Sequence, residues 1–252
     1  MRILKSIVEW QAARAAPEFV GRTIGFVPTM GALHAGHRAL LERARAENDL
    51  VVLSIFVNPT QFNDPKDLTV YPRTLEADLA LSGGLVDYVL TPPADELYVD
   101  DYHYRVTEKE LSLRWEGAHR PGHFDGVLTV VLKLLNLVQA NRAYFGEKDW
   151  QQLQLVRGMV RAFFMPVEII PCSTERAADG LALSSRNARL SPGGRVQAAS
   201  FSRILSGSPS AAAAIPLLEA AGFGVDYVAD HKEIRLGAVR LEGVRLIDNV
   251  RL

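Results

Sequence analysis

Thr23-Ile-Gly-Phe-Val-Pro-Thr-Met-Gly-Ala-Leu-His-Ala-Gly-His37 is the stretch that decides the fold. Its first six residues, 23–28, predict a buried strand, and Met30-Gly-Ala-Leu33 a tight glycine-containing loop. His34 and His37 then lead into a helix over residues 36–48, where Leu40, Leu41 and Ala44 recur at helical spacing. A helix N-terminus presents unpaired N–H groups and partial positive charge, which suits a phosphate. The lysine of a glycine-rich phosphate loop is absent here. Two imidazoles stand in its place, three residues apart and so on roughly one face. Gly36 between them leaves room for a ligand to approach the backbone. Three readings stand open: a nucleotide phosphate site, half of a metal site, or two surface histidines. A metal site needs a third protein ligand, and His103, His119, His123 and His231 offer no strong metal spacing.

The remainder of the chain narrows the class. Its 252 residues can bury a sizeable core, and 48% apolar with 23% charged residues is ordinary for a soluble globular protein. A net charge of −1 without a long basic run gives no support to nucleic-acid or membrane-surface binding. Cys172 is the sole cysteine, so no intrachain disulfide forms, which fits a reducing, cytoplasmic compartment. It closes the apolar Ile169-Ile-Pro-Cys172 and reads as a structural thiol. The first ten residues lack a signal-peptide core, and no apolar run reaches membrane-spanning length.

Strand and helix patterns alternate. Strands are predicted at 50–57, 86–91, 143–145 and 167–170, and helices at 75–82, 124–140 and 149–163. The run Leu50-Val-Val-Leu-Ser-Ile-Phe-Val57 is apolar throughout, as a strand buried on both faces should be. Such alternation implies an α/β fold, a Rossmann-like parallel sheet with helices on both faces. The loops after Val27, Val57 and Phe145 should then meet beyond the carboxyl ends of the strands. Beyond Cys172 the pattern changes. Ser191-Pro192 signals a helix start, residues 211–221 a helix weakened by Pro216, and 225–229 and 244–248 strands. Residues 1–173 therefore read as the Rossmann-like catalytic domain and 174–252 as a small α+β domain.

Four further segments are rich in chemistry-bearing residues: Val57-Asn-Pro-Thr-Gln-Phe62, Gly117-Ala-His-Arg-Pro-Gly-His-Phe-Asp-Gly126, Gly146-Glu-Lys-Asp-Trp-Gln-Gln152 and Asp179-Gly-Leu-Ala-Leu-Ser-Ser-Arg-Asn187. Together with the segment from Pro28 to His37, and in this order, they closely resemble the pantoate–β-alanine ligase (pantothenate synthetase) family. That family lies within the HIGH-motif nucleotidyltransferases, which include the class I aminoacyl-tRNA synthetases. The likeness reappears at Arg245-Leu-Ile-Asp-Asn249.

The resemblance implies ATP-dependent condensation of (R)-pantoate with β-alanine through pantoyl adenylate, releasing pyrophosphate and AMP. A related nucleotidylyltransferase that stops at adenylate transfer is the alternative. The resemblance places His34 and His37 at the ATP phosphates as catalytic groups, with Lys148 as a phosphate-binding lysine and Arg186, in the loop with Ser184 and Ser185, as a further catalytic group at the nucleotide. Met30, Gly146, Glu147, Asp149, Glu175, Leu183, Ser184 and Ser185 are implied to line the nucleotide, Asp149 as a helix N-cap. Glu175 stands where the family has a small apolar residue, and Leu183 where it often has methionine. Gln61 and Gln152 are implied to bind pantoate, and Gln61 with Asn58 to bind β-alanine. Segment 119–123 is implied to be an active-site flap. Mg²⁺ is expected to arrive with ATP, with no metal ligand from the protein and no prosthetic group. A homodimer is implied, with no nucleic-acid or membrane partner. The chain after Arg189 looks some tens of residues shorter than the family norm.

Overall fold

The computed structural model describes residues 1–63 and 65–252. Strand β1 (Arg2–Leu4), helix α1 (Ile7–Arg14), β2 (Ile24–Thr29), α2 (Ala35–Glu47) and β3 (Leu50–Ile55) open the chain. Helices α3 (Pro65–Val70) and α4 (Leu75–Ser82), strand β4 (Tyr88–Leu90) and the short helices α5 (Ala94–Leu97) and α6 (Glu116–His119) follow. The long helix α7 (His123–Val138) leads to β5 (Arg142–Gly146), α8 (Trp150–Ala162) and β6 (Glu168–Cys172). The chain ends with α9 (Pro192–Gly207), α10 (Ala211–Ala220) and strands β7 (Gly224–His231), β8 (Ile234–Leu241) and β9 (Val244–Arg251). No helix among the described residues is long and apolar enough to cross a membrane.

Two compact units make up these residues. Met1–Leu33, His37–Gly146 and Gln151–Cys172 form the first; His34–Gly36, Glu147–Trp150 and Ser173–Leu252 form the second. Two short segments from before residue 173, each bearing a candidate phosphate-binding group, thus group with the C-terminal residues.

The first unit is a six-stranded sheet in the order β1-β4-β3-β2-β5-β6, parallel throughout. Strand residues alternate between its two faces. Phe26, Val52 and Leu90 face a core shared with Trp10 of α1, Val127 and Leu128 of α7, and Leu153 of α8. Val27, Val51, Leu53 and Val89 face the other core, with Leu40, Leu41 and Ala44 of α2. All seven of these strand side chains are fully buried. That explains their unbroken apolar sequence, and it leaves polar chemistry to the loops at the strand ends. The strand order reverses direction between β2 and β5, the position at which open α/β sheets place their ligands.

In the second unit β7, β8 and β9 form an antiparallel sheet covered by α9 and α10. Ser191 caps α9 by accepting the Gly194 N–H at 3.0 Å, as its sequence signal requires. Helix α10 continues through Pro216.

The central strand β8 has no clear sequence signal because two of its residues contradict a strand pattern. Gly237 makes room for Phe201 and Leu205: a Cβ there would lie 3.2 and 3.1 Å from their side chains. Arg235, 1% exposed, pairs with Asp230 at 2.6 Å and donates to the carbonyls of Leu205 (2.8 Å) and Ser208 (2.6 Å). Strand β1 is only three residues long, which hides it equally well. Asp230→Ala should leave the Arg235 charge buried without its counter-ion, and should destabilise the protein by about 3 kcal/mol. Urea unfolding measures this; a loss below about 1 kcal/mol would mean that the two carbonyls alone satisfy the guanidinium.

Candidate active site

In the first unit the loop after β2 is held from outside. Gly31 and Ala32 both adopt positive φ, 79° and 52°, a conformation that costs a non-glycine residue about 1 kcal/mol or more. Asp78 of α4, 2% exposed, accepts the Ala32 N–H with one carboxylate oxygen (3.1 Å) and the Leu33 N–H with the other (2.8 Å). Thr29 accepts the Gly31 N–H at 3.2 Å. Sequence reasoning missed Asp78. Its signal was a carboxylate set between Ala77 and Leu79 within the predicted helix 75–82.

The loop after β3 carries Asn58 and Gln61. Asn58 is 1% exposed, and its amide nitrogen donates to the Gly126 carbonyl (3.2 Å) and to Gln61 Oε1 (2.8 Å). Its carbonyl oxygen accepts from the hydroxyls of Tyr98 (2.6 Å) and Thr60 (3.0 Å). The Gly126 carbonyl can only accept, so it fixes which end of Asn58 faces it, and Asn58 in turn fixes Gln61. A Cβ on Gly126 would come within 2.5 Å of the Thr60 carbonyl, so only glycine permits this approach. Burial first of all pushes the Tyr98 phenol up to about 12, which keeps it a donor. Gln61 Nε2 is left 3.2 Å from Met30 Sδ. The loops after β2 and β3 therefore meet, as the sheet topology requires.

Arg120 and His123 of segment 119–123 brace the Gln61 loop. The Gln61 backbone carbonyl accepts from His123 Nδ1 (2.8 Å) and from Arg120 (3.2 Å), and Arg120 also donates to His123 Nε2 (3.0 Å). These partners fix a neutral imidazole protonated at Nδ1. Of the two adjacent glutamines on α8, Gln152 is half-buried. Gln151, which sequence reasoning passed over, is buried and holds the 111–116 loop. It accepts from Glu116 N–H (3.0 Å) and donates to the carbonyls of Leu111 (2.7 Å) and Arg114 (2.8 Å). His37 lies in the first turn of α2, half-buried.

In the second unit His34 precedes α2 instead of lying on its face. Its Nδ1 accepts the Gly36 N–H at 3.1 Å, which leaves the proton on Nε2. A Cβ at Gly36 would lie 2.9 Å from the His34 ring, so the glycine makes room for that ring. Burial, and then the nearby Lys148 ammonium, lower the His34 pKa to about 4 against a weaker opposing pull from Asp149. His34 is thus a neutral N–H donor at pH 7. Lys148 sits in the turn Glu147–Asp149 just before α8, its side chain 16% exposed and 3.9 Å from the Asp149 carboxylate.

Glu175 and Leu183 are joined by a backbone hydrogen bond of 2.9 Å across a small hairpin, which Arg176 and Ala182 also bridge. The Ser184 hydroxyl caps the following turn, Ser185–Arg189, by accepting the Arg186 N–H at 3.2 Å. Among the described residues no group of three or more His, Cys, Asp or Glu side chains is placed to hold a metal ion.

A family model described as pantoate–β-alanine ligase matches residues 2–251. The chain belongs to the pantoate–β-alanine ligase family. Pantothenate synthetase of Bdellovibrio bacteriovorus is 54% identical over the whole chain and 99% of that protein, and that of Legionella pneumophila (strain Corby) is 48% identical with 100% of both covered. The Francisella tularensis ligase, solved in complex with β-γ ATP and β-alanine, superposes with a TM-score of 0.94 at 39% identity, covering 100% of this chain and 97% of that one. The Thermus thermophilus enzyme gives 0.91 at 45%, covering 100% and 99%. These relatives match almost end to end, so they share the compact C-terminal region that looks short against the family norm. The activity of this ligase is ATP-dependent joining of pantoate to β-alanine.

In the free enzyme, His34 should titrate near 4 in an NMR experiment, and Lys148→Ala should raise that value while leaving it below 6.5, because burial is the larger cause. The unfolded chain then binds the proton first. The contribution of this group to stability is complete above about 6.5 and is lost as the pH falls toward 4. Titration of His34 at 6.5 or above would refute the placement.

Proposed function

We propose that the ligation proceeds by two half-reactions. A pantoate carboxylate oxygen attacks the α-phosphorus of MgATP, the bond to the bridging oxygen breaks, and pyrophosphate leaves. The β-alanine amine then attacks the acyl carbon and loses a proton, and AMP departs with the former carboxylate oxygen. Adenylation is needed because an unactivated carboxylate would have to expel oxide. What the protein supplies is placement and charge stabilisation.

The observation that carries this reading is the fixed Gln61 carboxamide. Its orientation is set through Asn58 by the Gly126 carbonyl, and one amide hydrogen and one lone pair remain for a ligand. A neutral group offering both a donor and an acceptor suits a hydroxy acid such as pantoate. Gln152 is the second pantoate ligand in this reading, and Asn58 acts on β-alanine through the Gln61 group it holds. His34, as a neutral donor, and His37 stabilise charge developing on the α-phosphate, while Lys148 and Arg186 neutralise the departing pyrophosphate. Met30, Gly146, Glu147, Asp149, Glu175, Leu183, Ser184 and Ser185 line the nucleotide. The Francisella relative, solved with a nucleotide and β-alanine, supports the same substrates here. Mg²⁺, a hard cation that prefers oxygen, is carried by the ATP phosphates. The same reading has the enzyme working in the cytoplasm as a homodimer.

Pantoate should promote exchange of labelled pyrophosphate into ATP without β-alanine. His37→Ala should slow this exchange by about 2–4 kcal/mol of barrier, the scale for one preorganised donor. Gln61→Ala should chiefly raise the KM for pantoate, as loss of uniform binding does. Overall synthesis without any exchange would contradict the free adenylate. Equal loss of turnover in both variants at unchanged pantoate KM would contradict the division of roles.

A further inference from the structure

The motif Arg245-Leu-Ile-Asp-Asn249 belongs to the resemblance, yet none of the substrate-binding roles above uses it. Asn249 of β9 is 8% exposed, and its side-chain amide donates to two consecutive backbone carbonyls, Glu147 at 2.8 Å and Lys148 at 2.9 Å. Both amide hydrogens are thereby engaged with the turn that carries Lys148. The clamp is itself anchored. The Asp248 carboxylate accepts the Asn249 N–H at 2.8 Å and meets the Arg176 guanidinium with both oxygens, at 2.7 and 2.9 Å. Arg176 also donates to the Asn249 carbonyl (3.1 Å) and to the Gly180 carbonyl (3.0 Å). A half-exposed guanidinium paired with both oxygens of the buried Asp248 carboxylate fixes geometry in two directions at once. All of these residues belong to the second unit.

We propose that Asn249, locked by the Asp248–Arg176 pair, is a positioning residue for Lys148. It touches no substrate. It fixes the backbone of the Glu147–Asp149 turn, so that the ammonium is held where the phosphates need it and beside His34. This rests on the assignment of Lys148 to the phosphates.

The experiment compares Asn249→Ala, Asn249→Asp and Lys148→Ala with the unaltered full-length enzyme. It measures pyrophosphate exchange, pantoate KM, His34 titration by NMR and thermal unfolding. Asn249→Asp keeps the shape and loses both donors, so it serves if the alanine variant fails to fold. Misplacing the lysine should lower the turnover of exchange about 10- to 100-fold in both Asn249 variants, with pantoate KM changed by less than about twofold. In Asn249→Ala the His34 pKa should rise as it does in Lys148→Ala. A folded Asn249 variant that exchanges at the full rate while Lys148→Ala is impaired overturns the proposal alone. So does a rise in pantoate KM matching the loss of turnover, which marks general damage. Full exchange by Lys148→Ala instead overturns the phosphate assignment on which the proposal rests.

Discussion

A parallel sheet buried on both faces is the constraint from which the rest of this structure follows. Phe26, Val52 and Leu90 fill one core while Val27, Leu53 and Val89 fill the other, so these strands have no room for a reacting polar group. Chemistry moves to the loops, and loop backbone has no ladder to satisfy its N–H and C=O groups. The protein meets that need repeatedly with one device, a buried polar side chain reaching across to loop atoms. Asp78 takes the N–H groups of Ala32 and Leu33, Gln151 holds the 111–116 loop, Asn58 holds Gln61, and Asn249 holds the turn of Lys148. Each bond contributes only about 1 kcal/mol to stability. Its larger effect is to hold the loop in one conformation.

The candidate groups divide by charge according to the two kinds of ligand. Those assigned to phosphate are cations, Lys148 and Arg186, or donors such as His34, whose imidazole burial and Lys148 keep neutral. A neutral donor next to an ammonium can face an anion without adding the cost of burying a second charge. Those assigned to pantoate are carboxamides, and the polarity of Gln61 is set, through Asn58, by the Gly126 backbone carbonyl. A glycine in the first turns of α7 thereby sets the donor pattern of a loop 68 residues earlier in the chain.

What the sequence reveals and what it hides follow from the same physics. The inner strands and α7 announce themselves because burial on both sides demands unbroken apolar runs. Strand β8 is hidden by Arg235, whose partners Asp230, Leu205 and Ser208 become visible only once folded. Groups within a local motif, such as His34, His37 and Lys148, stand out as candidates from their neighbours. Residues that act on distant backbone are not: Asp78 serves a loop 46 residues away, Tyr98 an asparagine 40 away, and Asn249 a turn 102 away. Motif spacing carries no record of such pairings. The HxGH spacing also placed His34 on the helix face with His37. Its ring instead folds back onto the Gly36 N–H ahead of α2.

Activation of the pantoate carboxylate as an acyl adenylate leaves its record in the carboxylate oxygen atoms. Pantoate labelled with ¹⁸O in both carboxylate positions should be converted with ATP and β-alanine, and the products examined by mass spectrometry. One ¹⁸O should appear in AMP, one should be retained in the amide carbonyl of the product, and none should appear in pyrophosphate. Label appearing in pyrophosphate or inorganic phosphate, with unlabelled AMP, would contradict the acyl adenylate, because the carboxylate would then have been activated at a different phosphorus.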